Sequence, residues 1–174
     1  MRFIILGHIN SGKSTVSNYI CQKYDFKHYA LGDGVKKVLV EIADLFDIKI
    51  SIHDLYNREI KEKYREQMQK ISTDILKKNF GDNIWIDYLK RRLPEDKYVI
   101  DDIRFKNEYE AFHDDKTISI RIVRPGQEIQ SDHISEHDLD DTITDFTIVN
   151  DSDLDDLFKQ VDLIMQINLM SLNL

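Results

Sequence analysis

The residues with the clearest chemical potential are the eight from Gly7 to Ser14, Gly-His-Ile-Asn-Ser-Gly-Lys-Ser, which match the pattern Gly-x-x-x-x-Gly-Lys-Ser/Thr in full. Glycine at the fixed positions lets the backbone curl, so that successive N–H groups point at one anion. A helix that follows the loop adds its positive N-terminal end. The pattern therefore predicts a loop that binds the phosphates of a nucleoside triphosphate, ATP with Mg²⁺.

Several residues in and beside this loop have predicted roles. Lys13 would reach the β- and γ-phosphates and act in catalysis, and the hydroxyl of Ser14 would coordinate Mg²⁺. The other predicted nucleotide contacts are Gly7, Asn10, Ser11, Gly12 and Thr15. A chance glycine-lysine turn is the alternative. The apolar strand predicted before the loop and the amphipathic helix predicted after it favour the nucleotide site.

A second candidate segment begins where an apolar run ends at Asp101 and Asp102, with Arg104 directly after. A carboxylate there could hold a water of the Mg²⁺ shell, and an arginine could bind phosphate or stabilise the charge being transferred. We choose Asp102 as the catalytic and metal-side carboxylate and Arg104 as the catalytic cation. Side chains alternate along a strand, so only one aspartate would face the site, and which one is left open. A turn with a surface ion pair is the alternative.

The elements that must position these residues alternate along the chain. Apolar patterning predicts strands over 3–6, 26–31, 98–103, 117–123 and 146–149, and helices over 14–24, 35–46, 60–79, 82–93 and 154–164. Ser51 and Asp54 have the spacing of a capped short turn. Alternating strands and helices predict a parallel sheet covered on both faces, with ligands beyond the carboxyl ends of its strands. Residues 7–13, 32–37 and 101–107 are therefore expected around one cleft.

Composition limits the classes of function. With 174 residues, 41% hydrophobic and 32% charged, the chain is expected to form one domain, 1–174, with no membrane span and a cytoplasmic location. Its net charge of −8 argues against binding a nucleic acid polymer. The basic stretch 58–78 would still favour a phosphate-bearing molecule. The oligomeric state is left open, with a homodimer among the options.

Several segments resemble one known family. Residues 102–111, Asp-Ile-Arg-Phe-Lys-Asn-Glu-Tyr-Glu-Ala, resemble the Asp-Val-Arg-Phe-Pro-Asn-Glu-Ala-Glu-Ala signature of bacteriophage-type deoxynucleoside monophosphate kinases. Segments 31–36, 65–85 and 122–136 are similar to the family's Ala-Asp-Pro-Leu-Lys region, its Gln-x-x-Gly-Thr and Phe-Gly-x-x-x-Trp region, and its Arg-Pro-Gly and Asp-His-x-Ser-Glu lid. With the loop included, the resemblance runs from the first strand to the last helix.

The resemblance implies transfer of the ATP γ-phosphate to a deoxynucleoside 5′-monophosphate, giving the diphosphate. It also implies a three-layer α/β fold of the P-loop nucleoside monophosphate kinase type. This fold has a five-stranded parallel sheet with helices on both faces, a substrate-binding helical arm at about 34–93 and a lid at about 124–141. An acceptor phosphate is already an anion near neutral pH, so catalysis would be positioning and charge neutralisation.

The resemblance also places residues around the acceptor. Asp33, Lys36 and Lys37 should border it, and Arg65 and Gln69, four apart on one helix face, should reach the same pocket. Gln69 can both donate and accept hydrogen bonds, as base recognition requires. For the charged residues a solvated helix surface is the alternative, and Asp33 could simply cap the following helix.

Further positions match less closely. Lys77 stands where the family has an arginine, so a point charge replaces a bidentate fork at the acceptor phosphate. Trp85 is counted with the acceptor site, although a core role is the more frequent one. Arg124, which we count among the predicted nucleotide contacts, is the cation of an otherwise acidic lid. Ser72 replaces a family glycine, and Lys106 a proline.

Two other functions are left open by the sequence. One is a different small-metabolite kinase of the same architecture, such as a dephospho-coenzyme A or nucleoside kinase, which would not need Gln69. The other is a non-catalytic, nucleotide-binding regulatory protein, which the sparsely cationic lid favours.

Overall fold

The computed structural model describes residues 1–126 and 137–171, which form two compact units. The sheet unit comprises Met1–Tyr29 and the chain from Leu93 onward, and the helical unit comprises Ala30–Arg92. The helical unit covers nearly the same residues as the arm predicted at 34–93. The middle of the predicted lid, including its Asp-His-x-Ser-Glu segment, lies outside the described residues. The single-domain organisation with arm and lid stays a prediction.

The sheet unit contains five parallel strands in the order β2-β3-β1-β4-β5. They are β1 (Arg2–Leu6), β2 (Lys27–Tyr29), β3 (Tyr98–Ile100), β4 (Thr117–Val123) and β5 (Phe146–Val149). In this register Phe3 of β1 lies opposite Val99 of β3 and Ile118 of β4. The predicted five-stranded parallel sheet is confirmed.

Described helices connect β1 to β2, β2 to β3 and β3 to β4, as crossovers between parallel strands require. In chain order they are α1 (Lys13–Tyr24), α2 (Gly32–Leu45), α3 (Arg58–Lys63), α4 (Arg65–Gln69), a π-helix (Lys70–Lys77), α5 (Lys78–Phe80), α6 (Ile84–Lys90), α7 (Lys106–Phe112) and α8 (Leu154–Ser171). None of the described helices combines the length and apolar character that crossing a membrane demands.

Both faces of the sheet are covered. Phe3 and Ile5 pack with Val16 and Ile20 of α1 and Val161 of α8 in one buried cluster. Side chains alternate along a strand, so the next residues of β1 point to the opposite face, and they are at most 1% exposed as well. The continuous apolar run that predicts β1 is therefore explained by burial on two sides.

The helical unit differs from its prediction in one respect. The single helix predicted over 60–79 is interrupted at Tyr64, whose backbone (φ −106°, ψ 8°) leaves the helical region. Beyond α4 the chain continues as a π-helix, in which Ile71 is the buried residue. Hydrophobic spacing alone does not reveal such a change, because Ile71 and Ile75, four residues apart, lie on nearly the same side of either helix type.

Two strands are shorter than the sequence predicts, and one predicted turn is present. The predicted strands 26–31 and 98–103 shorten to three residues each: in the described residues β3 pairs with both β1 and β2 over Tyr98–Ile100, and β2 pairs with β3 over Lys27–Tyr29 at the edge of the sheet. The capped turn predicted from Ser51 and Asp54 is confirmed. The main-chain N–H and the hydroxyl of Ser51 both donate to the Asp54 carboxylate at 2.8 Å.

Within the helical unit, α2 packs closely on α6 at Gly34. A Cβ built on Gly34 would lie 2.7 Å from Cζ3 of Trp85 and 3.0 Å from Cδ1 of Tyr88. Trp85 is only 5% exposed, so its ring has little freedom to withdraw. The core role of Trp85 is thus explained by this contact, and its predicted role at the acceptor stays a prediction.

We expect Gly34→Ala to lower the free energy of unfolding by about 2 kcal/mol, because overpacking outweighs the gain in helix propensity of somewhat under 1 kcal/mol. Urea unfolding followed by circular dichroism measures the change. Glu41→Ala, at an exposed position of the same helix, is the control and should be near neutral. A variant of Gly34 as stable as the parent would contradict the packing argument.

Candidate nucleotide-binding site

The loop from Gly7 to Gly12 curls tightly at the carboxyl end of β1. Gly7 (φ 142°) and Gly12 (φ 109°) adopt the left-handed region that favours glycine, and Asn10 joins them at φ 62°. A Cβ on Gly7 would lie 2.5 Å from the carbonyl oxygen of Ile122 in β4. Backbone conformation and close approach therefore both require glycine at this point.

Asn150 supports the loop from the other side. It follows β5 directly, and its main-chain N–H donates to the carbonyl of Val123 at 2.8 Å. Its side-chain Nδ2 donates to the carbonyl of Ser11 at 2.8 Å and would lie 2.6 Å from a Cβ on Gly12. The sequence analysis missed Asn150, although its place at the carboxyl end of a parallel strand was a usable signal.

Lys13 and Ser11 are two polar residues of the loop that are suited to meet an anion. The ammonium of Lys13 donates to the carbonyls of Gly7 at 2.6 Å and His8 at 2.7 Å, so it lies against the first residues of the loop. Ser11 is only 2% exposed, and among the described residues its hydroxyl has no hydrogen-bond partner. A buried hydroxyl of this kind is suited to donate to an anion held by the loop.

Asp101 is a buried carboxylate near Ser14, the last residue of the loop pattern. It follows β3, is 8% exposed, and lies within hydrogen-bonding reach of the hydroxyls of Ser14 and Ser17, of which Ser17 donates its own hydrogen to the carbonyl of Lys13 at 2.9 Å. Nε2 of His28, on β2, lies 2.7 Å from its Oδ1. The sequence analysis named Asp101 without choosing it, and it missed His28. The role of Asp102 stays a prediction.

The charge of Asp101 is maintained despite its burial. Burial raises the pKa of the carboxyl, but the hydrogen bond and charge of His28, with the hydroxyls of Ser17 and Ser14, outweigh it and leave the pKa below its usual value. The group is therefore an anion at neutral pH. A buried anion beside a serine hydroxyl can attract a cation or its water shell.

Arg104 is held by its main chain. The carboxylate of Glu108, itself 6% exposed, accepts from the N–H groups of Arg104 at 2.9 Å and Phe105 at 3.2 Å, where α7 begins. The N–H of Lys106 donates to Asp138 at 2.8 Å. A proline, the family residue at this position, could not make that bond. The loop is thus fixed while the Arg104 side chain is exposed.

A cavity of about 240 Å³ adjoins the loop. It is lined by Gly7, His8, Ser11, Arg121, Ile122, Val123 and Arg124. Arg121 donates from Nη2 to the carbonyls of Leu139 at 2.7 Å and Thr142 at 2.9 Å, and these bonds fix residues 139–142 against β4. The structure therefore brings Arg124 to the same cavity as Ser11, and its predicted contact with the nucleotide stays a prediction.

In the helical unit the structure brings Asp33 and Lys36 together. Nζ of Lys36 donates to Oδ1 of Asp33 at 2.8 Å and lies 3.8 Å from the ring centre of Tyr56, whose hydroxyl donates to the same oxygen at 2.8 Å. Lys36 is only 6% exposed. A cation enclosed in this way is already neutralised by its neighbours.

The other predicted acceptor residues are more exposed. Arg65 and Gln69 share the short helix α4, which contacts α2, and Arg65 pairs with Glu62 at 2.8 Å. Lys37 is exposed, and Lys77 is half-buried on the π-helix. Their roles, and the expectation that residues 32–37 share a cleft with the loop, stay predictions.

The geometry of the loop and its neighbours fits the predicted ligands, a nucleoside triphosphate and Mg²⁺. Main-chain curvature, Lys13 and a helix N-terminus suit a polyphosphate. Among the described residues no three or more His, Cys, Asp or Glu side chains form a metal-binding group. One serine hydroxyl and one carboxylate instead match Mg²⁺, which usually keeps waters and is held by one or two protein oxygens together with substrate phosphates.

Structural comparison supports the fold. The chain resembles shikimate kinase from Aquifex aeolicus vf5 (TM-score 0.51, 14% identity, 98% of this chain and 99% of that one). It also resembles shikimate kinase from Acinetobacter baumannii (TM-score 0.50, 11% identity, 98% and 93%). At these identities the similarity shows the P-loop kinase fold alone.

Sequence comparison identifies the family. The deoxynucleotide monophosphate kinase of Enterobacteria phage T4 is 34% identical over an alignment of 103 positions that covers 56% of this chain and 43% of that protein. The chain thus matches less than half of that relative's length. The putative deoxynucleotide monophosphate kinase of Acanthamoeba polyphaga mimivirus is 25% identical over an alignment of 178 positions, gaps included, that covers 90% of this chain and 92% of that protein. The family model described as deoxynucleotide monophosphate kinase matches residues 48–161, well over half of the chain, and the chain belongs to that family.

Proposed function

We propose that the protein is a kinase that transfers the γ-phosphate of ATP to a deoxynucleoside 5′-monophosphate. The observation that carries the proposal is a correctly curled phosphate-binding loop at residues 7–14, in a chain whose residues 48–161 match the family. The loop precedes the matched range, so loop and family match are separate lines of support.

The chain's own groups would act by position and charge. The amides at the start of α1 and the ammonium of Lys13 would hold the β- and γ-phosphates, and Lys13 would leave the loop carbonyls to reach them. Ser14 and Asp101 are the residues suited to hold Mg²⁺ and its waters, with Asp102 as the competing assignment. Mg²⁺ would supply neutralisation of phosphate charge.

Arg104 would act on the phosphoryl group being transferred. Its loop is fixed by Glu108 while its guanidinium is exposed, which suits a cation that must meet charge developing in the transition state. The helical unit would bind the acceptor through Asp33, Arg65 and Gln69. The acceptor phosphate is already an anion, so no strong base is needed.

Free nucleotides rather than a nucleic acid polymer are the proposed substrates, since the net charge of −8 disfavours polymer binding. A cytoplasmic location and action as a monomer or homodimer are part of the proposal, consistent with access to free ATP and deoxynucleotides.

An assay of ADP release with each of the four deoxynucleoside monophosphates, the ribonucleotides and the nucleosides tests the proposed reaction. We expect turnover with at least one deoxynucleoside monophosphate, and its loss by at least about a thousandfold in Lys13→Ala, whose circular dichroism should match the parent. Turnover only with nucleosides or dephospho-coenzyme A would replace the acceptor class. Nucleotide binding with no acceptor-dependent turnover would contradict kinase function.

Arg104→Ala should lower kcat by about a hundredfold or more while changing the Kd for ATP by less than about threefold, because the contact is made mainly in the transition state. Steady-state kinetics and calorimetry measure the two quantities. Lys106→Ala is the control, since it removes a neighbouring exposed cation and keeps the main-chain bond to Asp138. An unchanged kcat would make Arg104 a structural residue.

Asn150→Asp should weaken ATP binding by about tenfold, because an acceptor oxygen would replace the Nδ2 donor facing the Ser11 carbonyl. Asn150→Ala, which only removes the donor, should cost less, about threefold. Calorimetric titration gives both values. Asn18→Asp makes the same exchange at an exposed position of α1 and controls for the added charge. Equal affinity in all three variants would remove Asn150 from the support of the loop.

A further inference from the structure

His28 has no role in the proposed reaction so far, yet it contacts the buried carboxylate of the nucleotide site. It lies on the edge strand β2, opposite Val99 of β3, while Tyr29 lies opposite Ile100. Asp101 comes directly after Ile100. The register therefore sets the imidazole of His28 beside Asp101, where Nε2 and Oδ1 are 2.7 Å apart.

The carboxylate of Asp101 depends on a small number of donors. It is 8% exposed, so water satisfies little of its hydrogen-bonding capacity. The donors available to it come from two elements: the hydroxyl of Ser14 on α1 and the imidazole of His28 on β2, while the neighbouring Ser17 hydroxyl donates to the carbonyl of Lys13 at 2.9 Å. A buried anion that loses one of few donors is no longer held in one orientation, because the remaining donors leave some of its lone pairs unsatisfied in a poorly solvated site.

The direction of the Ser14 hydroxyl follows from this arrangement. A hydroxyl has one hydrogen and two lone pairs. When Ser14 donates its hydrogen to Asp101, its lone pairs point elsewhere and are available to a cation. A carboxylate that rotates away would leave the hydroxyl free to turn, and its lone pairs would no longer be fixed.

We propose that His28 is a positioning residue for the metal side of the nucleotide site: its Nε2–H fixes the Asp101 carboxylate, which in turn fixes the Ser14 hydroxyl for Mg²⁺ bound with the triphosphate. The inference rests on the proposed function. His28 touches neither nucleotide nor metal in this scheme, and it acts through Asp101. Because a carboxylate anion only accepts, the scheme requires that Nε2 carry the hydrogen.

Two substitutions separate this role from simple space filling. Glutamine extends an amide N–H to about the reach of Nε2, whereas the shorter asparagine reaches only about as far as Nδ1. His28→Gln should therefore preserve the contact with Asp101, and His28→Asn should lose it. The His28 side chain is 33% exposed, so both polar replacements are tolerable at this edge of the sheet.

The measurement is calorimetric titration with ADP and with a non-hydrolysable ATP analogue, each in Mg²⁺ and in EDTA. We expect the gain in affinity that Mg²⁺ gives the parent to fall about tenfold in His28→Asn and to stay within about twofold in His28→Gln. Affinity in EDTA should be equal in all three proteins. If His28 only filled space, its substitution would change thermal stability and leave the ratio of the affinities in Mg²⁺ and in EDTA unchanged.

The outcomes distinguish the inference from the proposed function. If the parent shows the Mg²⁺-dependent gain and His28→Asn keeps it, or if glutamine fails as asparagine does, the inference is overturned and the kinase proposal stands. If the parent binds no nucleotide, the kinase proposal is overturned, and the inference with it.

A second readout needs no destabilising variant. ¹⁵N NMR of the parent's imidazoles, with the His28 signals assigned by their loss in His28→Gln, reports which ring nitrogen carries the hydrogen. We expect a protonated Nε2 whose signal moves when Mg²⁺ and nucleotide are added together and stays in place with Mg²⁺ alone. A ring with hydrogen only on Nδ1 would set two acceptors against each other and would overturn the inference, even if His28→Asn did not fold.

Discussion

The conformation of the chain at the end of β1 is the constraint on which the nucleotide site depends. An anion can be held by main-chain amides only if the backbone turns sharply within a few residues, and this requires the positive φ angles of Gly7 and Gly12. The turn then fits between the carbonyl of Ile122 on one side and the amide of Asn150 on the other. The parallel sheet supplies both neighbours, because β4 and β5 end at the same edge as β1. The loop is thus shaped by the ends of three strands.

The acidic composition of the chain is compatible with a phosphate site because each nearby carboxylate has its own partners. Asp101 is paired with His28 and lies beside the Ser14 hydroxyl, and Glu108 accepts from the main-chain N–H groups that begin α7. A carboxylate that caps a helix or holds a hydroxyl contributes a fixed direction, and much of its charge is offset locally. The overall charge of −8 therefore bears on polymers and says little about one small anion.

The sequence predicted the parts of the site that the backbone defines. The loop was found because its pattern records where glycine is obligatory, and β1, β3, β4 and β5 because each is rich in apolar residues over a suitable length, whereas β2 is Lys-His-Tyr at the edge of the sheet. The choice between Asp101 and Asp102 depended on where β3 ends and on the neighbouring strand, which supplies His28, and no local pattern contains that information. Asn150 was missed because it belongs to the site through a contact with Ser11, 139 residues away in sequence. The break at Tyr64 and the π-helix were missed because hydrophobic spacing tolerates both.

Basic residues of the helical unit that the sequence presents as equivalent differ in their environments. Lys36 is enclosed between Asp33 and the ring of Tyr56, and removing a buried cation from its partner leaves a buried charge uncompensated. Arg65 pairs with Glu62 on the surface, where water screens the attraction and a competing phosphate could displace the carboxylate at little cost. Arg65 also offers the bidentate geometry that a phosphate favours. Of these two cations, Arg65 is therefore the one whose environment leaves it accessible to an anion, whereas Lys36 is already neutralised by Asp33.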